Sequence, residues 1–299
     1  MATTIRSVLD LICEWSNLPK LTFTCQNRCR IIAIDGNIGA GKTTLMDRLE
    51  EQYQDCDDVV VLREPVHLWT NLLTEGNQGQ GQGQCQGQCN DKNENLLQLF
   101  YTDPTKYAFL FQLHIFRTSL NEMQRVLSDP NIRIVFCERS LESSRRVFAQ
   151  MLRDAGNMTA IEFVLYESMF TDEIVSKYYP TEIVYLDASV DVCHDRICTR
   201  ARTGEEAIPK DYLSKCAAYY TTWLHSVMIP TLRSGITPPK SLRDFKVGSD
   251  FVASGPKGLP VCLRSGSPTL GLMGHRSVNT IHTDDLSMDQ VLEQFQEYV

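Results

Sequence analysis

A chain of 299 residues with 42% hydrophobic content can bury a full core and form one large domain or two small ones. Its 29 Lys and Arg against 37 Asp and Glu give a formal charge of -8, which argues against a polyanion such as nucleic acid as the main partner. No run approaches the roughly 18 apolar residues a membrane span needs, and the first residues lack a charged segment followed by an apolar core, so no membrane partner is expected.

Eleven cysteines are an odd set, scattered without a repeated spacing of the sort that staples small secreted domains, the usage of a reducing compartment. Cys25/Cys29 and Cys85/Cys89 are the two Cys-x3-Cys pairs, but no His pair stands at ligand spacing, so zinc is not expected. The expected location is cytoplasmic. Asp10 and Glu14 count against an acid-poor mitochondrial transit peptide within residues 1–29, without deciding the point.

In chain order, residues 1–29 form an N-terminal extension, and residues 30–299 read as a single domain. Arg30–Asp35 is an apolar strand ending at a glycine-rich turn, and a helix starts near Thr43 with Leu45 and Leu49 on one face. Apolar runs at Asp58–Arg63, Ile132–Cys137 and Glu182–Asp187 are each followed by helical patterning, the mark of βα units around a buried parallel sheet. Asp103-Pro104 is a helix start. A fifth strand falls at Val278–His282, before a helix from about Ser287 to Tyr298. Two stretches interrupt the pattern: a Gly-Gln alternation at about 75–90, and a Gly-, Pro- and Ser-rich segment at 234–277. Both carry too little apolar surface to pack and read as surface insertions. The fold expected is therefore α/β, a P-loop kinase fold with a parallel five-stranded sheet flanked by helices and a helical lid.

Gly36-Asn37-Ile38-Gly39-Ala40-Gly41-Lys42-Thr43, followed by Thr44, fits the phosphate loop G-x4-G-K-[ST] in its required strand-to-helix setting. Its glycines let backbone N–H groups curl around phosphate oxygens, Lys42 neutralises the β and γ phosphates of ATP, and Thr43 can ligate Mg²⁺. Glu64 and Glu138 end the second and third strands, where side chains face the ligand crevice of a parallel sheet. Two such acids can divide the work, one taking a proton from an attacking hydroxyl and the other helping to hold the metal. Arg196, Arg200 and Arg202 form a cationic cluster after the fourth strand, suited to a lid over a transferring phosphoryl group.

These motifs resemble the deoxynucleoside kinase family. GNIGAGKTT, the EPV-x2-W segment ending at Trp69, NLLQLFYTDPTKYAFLFQ at 95–112, ERS at 138–140 and RARTGEEAIPKDYL at 200–213 agree with that family in order and spacing. The resemblance implies Glu64 as general base for a nucleoside 5′-hydroxyl, Arg139 as the cation orienting it, and Glu138 with Thr43 at magnesium. It implies that Gln112 pairs with the base edge, that Trp69 and Phe148 sandwich the ring with Phe111 and Ile115 as further walls, and that Tyr101 and Glu205 hold the sugar 3′-hydroxyl. Arg196, Arg200 and Arg202 fall where the family's lid reaches the phosphates. A homodimer is implied as well.

Family members that prefer deoxycytidine or purines carry Arg and Asp at the positions matching Ser119 and Ser144. Thymidine-accepting members carry apolar residues there, so the serines match neither pattern but leave room for a 5-methyl pyrimidine; thymidine and other pyrimidine deoxynucleosides are the expected substrates, although two hydroxyls or a trapped water could recruit cytosine. Two rivals stand beside this reading. One is a thymidylate kinase, which shares the phosphate loop and a lid. The other is a catalytically silent nucleotide-binding module, against which the retention of Lys42, Thr43, Glu64, Glu138 and the lid arginines speaks.

Overall fold

The structure is a computed structural model that describes residues 29–70, 72, 95–202, 205, 208–233 and 276–298, with backbone only at 229–233. The Gly-Gln insertion, nearly all of the 234–277 insertion, and Cys25, Cys85 and Cys89 lie outside the described residues.

Five strands form one parallel sheet in the order β2-β3-β1-β4-β5: β1 Arg30–Gly36, β2 Val59–Leu62, β3 Ile134–Glu138, β4 Glu182–Asp187 and β5 Ser277–His282. All five expected strands are present, each within two residues of its expected bounds. Ser277 belongs to β5 rather than to the preceding insertion, because its register opposite Glu182 places it in the ladder.

Alternation along the central strand explains why the sheet is covered on both faces. Ile31 and Ala33 pack with Val135 and Cys137 against Phe116, Leu120 and Tyr166. The intervening Ile32 and Ile34 pack with Phe136, Val184 and Leu186 against Leu45, Leu49 and Phe295. Side chains of a strand alternate faces, so a run of consecutive apolar residues can satisfy both layers.

The helices are α1 Lys42–Gln52, α2 Val66–Thr70, α3 Leu96–Thr102, α4 Pro104–Leu127, α5, α6 Ala160–Ser168, α7 Asp172–Tyr178, α8 Val190–Arg200, α9 Lys210–Arg233 and α10 Met288–Gln296. Helix α5 starts at Leu141–Ser143, passes through a π-helical turn at Ser144–Ala149 and ends as Gln150–Asp154. Asp103 caps α4 by accepting from Lys106 N, with Pro104 just inside the helix. Ser287 and Gln290 make a reciprocal capping box on α10. No helix among the described residues is long and apolar enough to cross a membrane.

Candidate active site

The carboxyl ends of β1, β2 and β3 converge on a cavity of about 510 Å³. At the end of β1 the chain turns through Gly39 and Gly41, which hold φ +81° and +100°, values that favour glycine. A Cβ on Gly39 would also collide with the Cys193 carbonyl. Gly41 caps α1 without a side-chain hydrogen bond, leaving the first amides of the helix for an anion. Ile38, Gly39, Gly41, Lys42, Thr43 and Thr44 line the cavity.

Gly36, Asn37 and Ala40 shape the loop without lining the cavity. Lys42 Nζ donates to the carbonyls of Gly36 (3.1 Å) and Asn37 (2.8 Å), and Asn37 Nδ2 donates to the Leu213 carbonyl at 2.9 Å. Burial, with Arg139 nearby, pushes the Lys42 ammonium down to about 8.

Glu64, just past β2, accepts from Arg139 Nε at 2.6 Å. Arg139, just past β3, has φ 64°, a left-handed conformation uncommon for a residue with a side chain and typical of strained functional positions. Its guanidinium lies 4.4 Å over the Phe148 ring. Although burial opposes the charge, Glu64, Tyr220 and Asp35 hold Arg139 more firmly protonated than usual.

Thr43 Oγ1 donates to Glu138 Oε1 at 2.7 Å. A hydroxyl and a carboxylate beside a phosphate loop are hard oxygen donors of the kind magnesium accepts along with phosphate oxygens and water. Among the described residues no group of three or more His, Cys, Asp and Glu could hold a metal.

The aromatic walls lie opposite. Trp69 and Phe111 meet edge to face at 5.7 Å, Phe100 stacks on Phe111 at 4.8 Å, and Trp69 Nε1 donates to Thr118 Oγ1 at 3.0 Å. Trp69, Phe111, Phe148, Tyr101, Gln112, Ile115 and Ser144 all line the cavity. Gln112 is 2% exposed, and its Oε1 has no hydrogen-bond partner. Burial pushes the Tyr101 phenol up, so it stays a donor.

Ser119 is placed elsewhere. It lines a small second pocket with Arg63, Pro65, Glu122 and Met123, four residues beyond Ile115 on α4, and of the cavity residues that pocket shares Glu138 and Arg139.

The lid closes the far side. Arg200 donates to Glu205, and Arg202 Nη1 reaches the other carboxylate oxygen at 3.2 Å, so the two lid arginines and the buried Glu205 form one network. Arg196 is held by the carbonyls of Ala40 (3.3 Å) and Thr283 (3.1 Å). Sequence reasoning missed Val66, Leu97, Phe100, Tyr212, Leu286 and Met288 as cavity residues. The helical spacing of Leu97, Phe100 and Tyr101 with Phe111 was the available signal for Leu97 and Phe100.

A phosphate loop, a strand-end carboxylate paired with arginine and a cationic lid around one cavity define a P-loop phosphotransferase. The chain belongs to the deoxynucleoside kinase family, which it matches over residues 32–245. It is 32% identical over 207 residues to deoxycytidine kinase 2 of Gallus gallus, covering 67% of this chain and 76% of the relative. It is 31% identical over 204 residues to Homo sapiens deoxycytidine kinase (66% and 76% covered). To the mitochondrial deoxyguanosine kinase of Xenopus laevis it is 27% identical over 200 residues (64% and 72%). Phosphorylation of a deoxynucleoside fits the family, whose kinases use ATP as phosphate donor.

Proposed function

We propose that this chain transfers the γ-phosphoryl group of ATP, with magnesium, to the 5′-hydroxyl of a pyrimidine deoxynucleoside, thymidine among them. The observation that carries the base assignment is the unpartnered, buried Gln112 Oε1 on a wall flanked by aromatic rings. Leaving such a group unsatisfied costs about 1–3 kcal/mol, which a base N–H can recover. The neighbouring amide nitrogen supplies a donor to the same edge.

In this reading Glu64 accepts the 5′-hydroxyl proton, and the charge and fork of Arg139 fix its carboxylate within reach of that hydroxyl. Lys42, Arg196, Arg200, Arg202 and the amides at the start of α1 hold the phosphates, stabilising charge as it shifts toward the leaving oxygen. Thr43 and Glu138 would hold the magnesium, which when bound neutralises phosphate oxygens. Tyr101 and Glu205 are assigned to the sugar 3′-hydroxyl.

A carboxamide can pair with thymine or, by turning over, with cytosine, so discrimination falls to its neighbours. Ile115 and Ser144 line the cavity and carry no charge, which supports thymidine. A second reading, preference for deoxycytidine, is favoured by the names of the relatives and by the Ser144 hydroxyl. Calorimetric titration of thymidine, deoxycytidine and thymidine monophosphate tests both. The expected result is binding of both nucleosides, thymidine at least as tightly, with loss of about tenfold or more for Gln112→Leu. Binding of the monophosphate alone contradicts the acceptor assignment.

A homodimer is part of the proposal. Ile161, Val164 and Leu165 project from α6 with 75%, 66% and 53% exposure, and Leu110 on α4 is 49% exposed. These two helices pack together, giving an apolar face of the kind a second copy covers. The cytosol is the proposed compartment.

A further inference from the structure

Helix α9 follows the lid and packs on α8, on the π-helical turn of α5 and on β5. Early on it is tied to the phosphate loop through the Leu213 carbonyl and Asn37. Two turns later comes Tyr220, which is fully buried and lies outside the set of residues lining the cavity. Its hydroxyl accepts from Arg139 Nη1 at 2.6 Å and donates to Asp35 Oδ1 at 3.4 Å. Asp35, at 0% exposure, is anchored in turn by Ser140 Oγ at 2.9 Å. Arg139 passes the constraint on through its 2.6 Å bond from Nε to Glu64.

We propose that Tyr220, anchored by Asp35, is a positioning residue that sets the Arg139 guanidinium and, through it, the Glu64 carboxylate in the geometry phosphoryl transfer requires. The proposal rests on the functional reading above.

The chemistry fits a relay of orientation. Burial pushes the Tyr220 phenol well above its ordinary range, so it stays protonated and can donate to Asp35 while accepting from arginine. A guanidinium presents several donors in a rigid plane, so fixing one edge fixes the other. Phe148 covers the face of that plane, and Tyr220 meets Phe148 edge to face at 6.2 Å. Arg139 is thus held at one edge by Tyr220, across its face by Phe148 and at the other edge by Glu64. Without the hydroxyl, the plane is free to swing about its remaining contacts.

The test is the full-length chain with Tyr220→Phe, alone and combined with Arg139→Lys, assayed for phosphate transfer to thymidine and deoxycytidine. Misplacement of a reacting group by about an ångström costs up to a hundredfold, so a kcat loss of about tenfold is expected. KM for nucleoside and ATP should stay within about twofold, since the ground-state contacts are untouched. In the Arg139→Lys background no fork remains to orient, so Tyr220→Phe should change kcat by less than about twofold. A Tyr220→Phe enzyme with native kcat overturns the proposal, as does a tenfold loss that persists beside Arg139→Lys. If Tyr220→Phe does not fold, Asp35→Asn in the same cycle decides: several-fold loss of kcat alone and none beside Arg139→Lys is expected, and native kcat overturns it. A wild-type chain that transfers no phosphate to either nucleoside overturns the functional reading and this proposal together, a result distinct from an active enzyme indifferent to Tyr220.

Discussion

Lys42 is a buried cation whose Nζ donates to two backbone carbonyls. Burial and the nearby Arg139 lower its ordinary value to about 8, against the opposing charges of Glu64, Glu138 and Asp35. A triphosphate favours the charged ammonium, so ATP affinity should hold below about pH 8 and fall above it as the free protein loses this proton. The sign follows: the bound form keeps a proton that the free form has lost, so binding just above that pH takes one up. Calorimetry in buffers of different ionisation enthalpy measures this, and proton release would contradict it. Glu64→Gln removes the proposed base while keeping shape, so turnover should fall by at least about a hundredfold with ATP affinity unchanged. Single-turnover rates beside a binding isotherm check both halves.

At this scale the sequence named most of the residues that the fold brings to the cavity. Lys42, Thr43, Glu64, Glu138 and Arg139 sit in motifs whose backbone setting determines where the side chain points. Tyr220 and Asp35 were not legible, because 185 positions separate them and only the closed fold makes them neighbours. Ser119, which lines the second pocket and not the main cavity, meets a related limit: spacing along a helix does not say where the helix leaves a cavity.

Among the elements, α10 links stability to the site. Phe295 is fully buried, and its ring meets Phe136 on β3 at 5.7 Å, while the start of the same helix supplies Met288 to the cavity beside Gly41. Phe295→Ala should cost about 3–5 kcal/mol in urea unfolding, by lost transfer energy and the void left behind. It should also weaken ATP binding more than nucleoside binding. Equal weakening of both would show that α10 is not specific to the donor side. The strands and α10 were legible because apolar runs, capping residues and turn glycines coincide there. The π-helical turn at Ser144–Ala149 was not, since sequence periodicity does not register a one-residue change of winding. It places Ser144, Val147 and Phe148 in buried positions, consistent with such turns collecting at functional sites.

For the molecule as a whole, the apolar face on α6 predicts self-association. Ile161→Asp with Val164→Asp sets two charges on that face without touching the core, so sedimentation should report a dimer for the native chain and a monomer for the double variant, with folding stability changed by about 0.5 kcal/mol or less per site. A monomeric native chain would remove this part of the account. The sheet and its covering layers could be read from local patterning, whereas the apolar face on α6 could not, because exposure of Ile161 and Val164 is a property of the packed helices.

The most direct test of the central claim is initial-rate phosphate transfer from ATP with magnesium to thymidine, deoxycytidine, deoxyadenosine and deoxyguanosine, with thymidine monophosphate in parallel. The account predicts transfer to the nucleosides, strongest for the two pyrimidines. Transfer to the monophosphate alone, or ATP binding with no transfer to any acceptor, would contradict it.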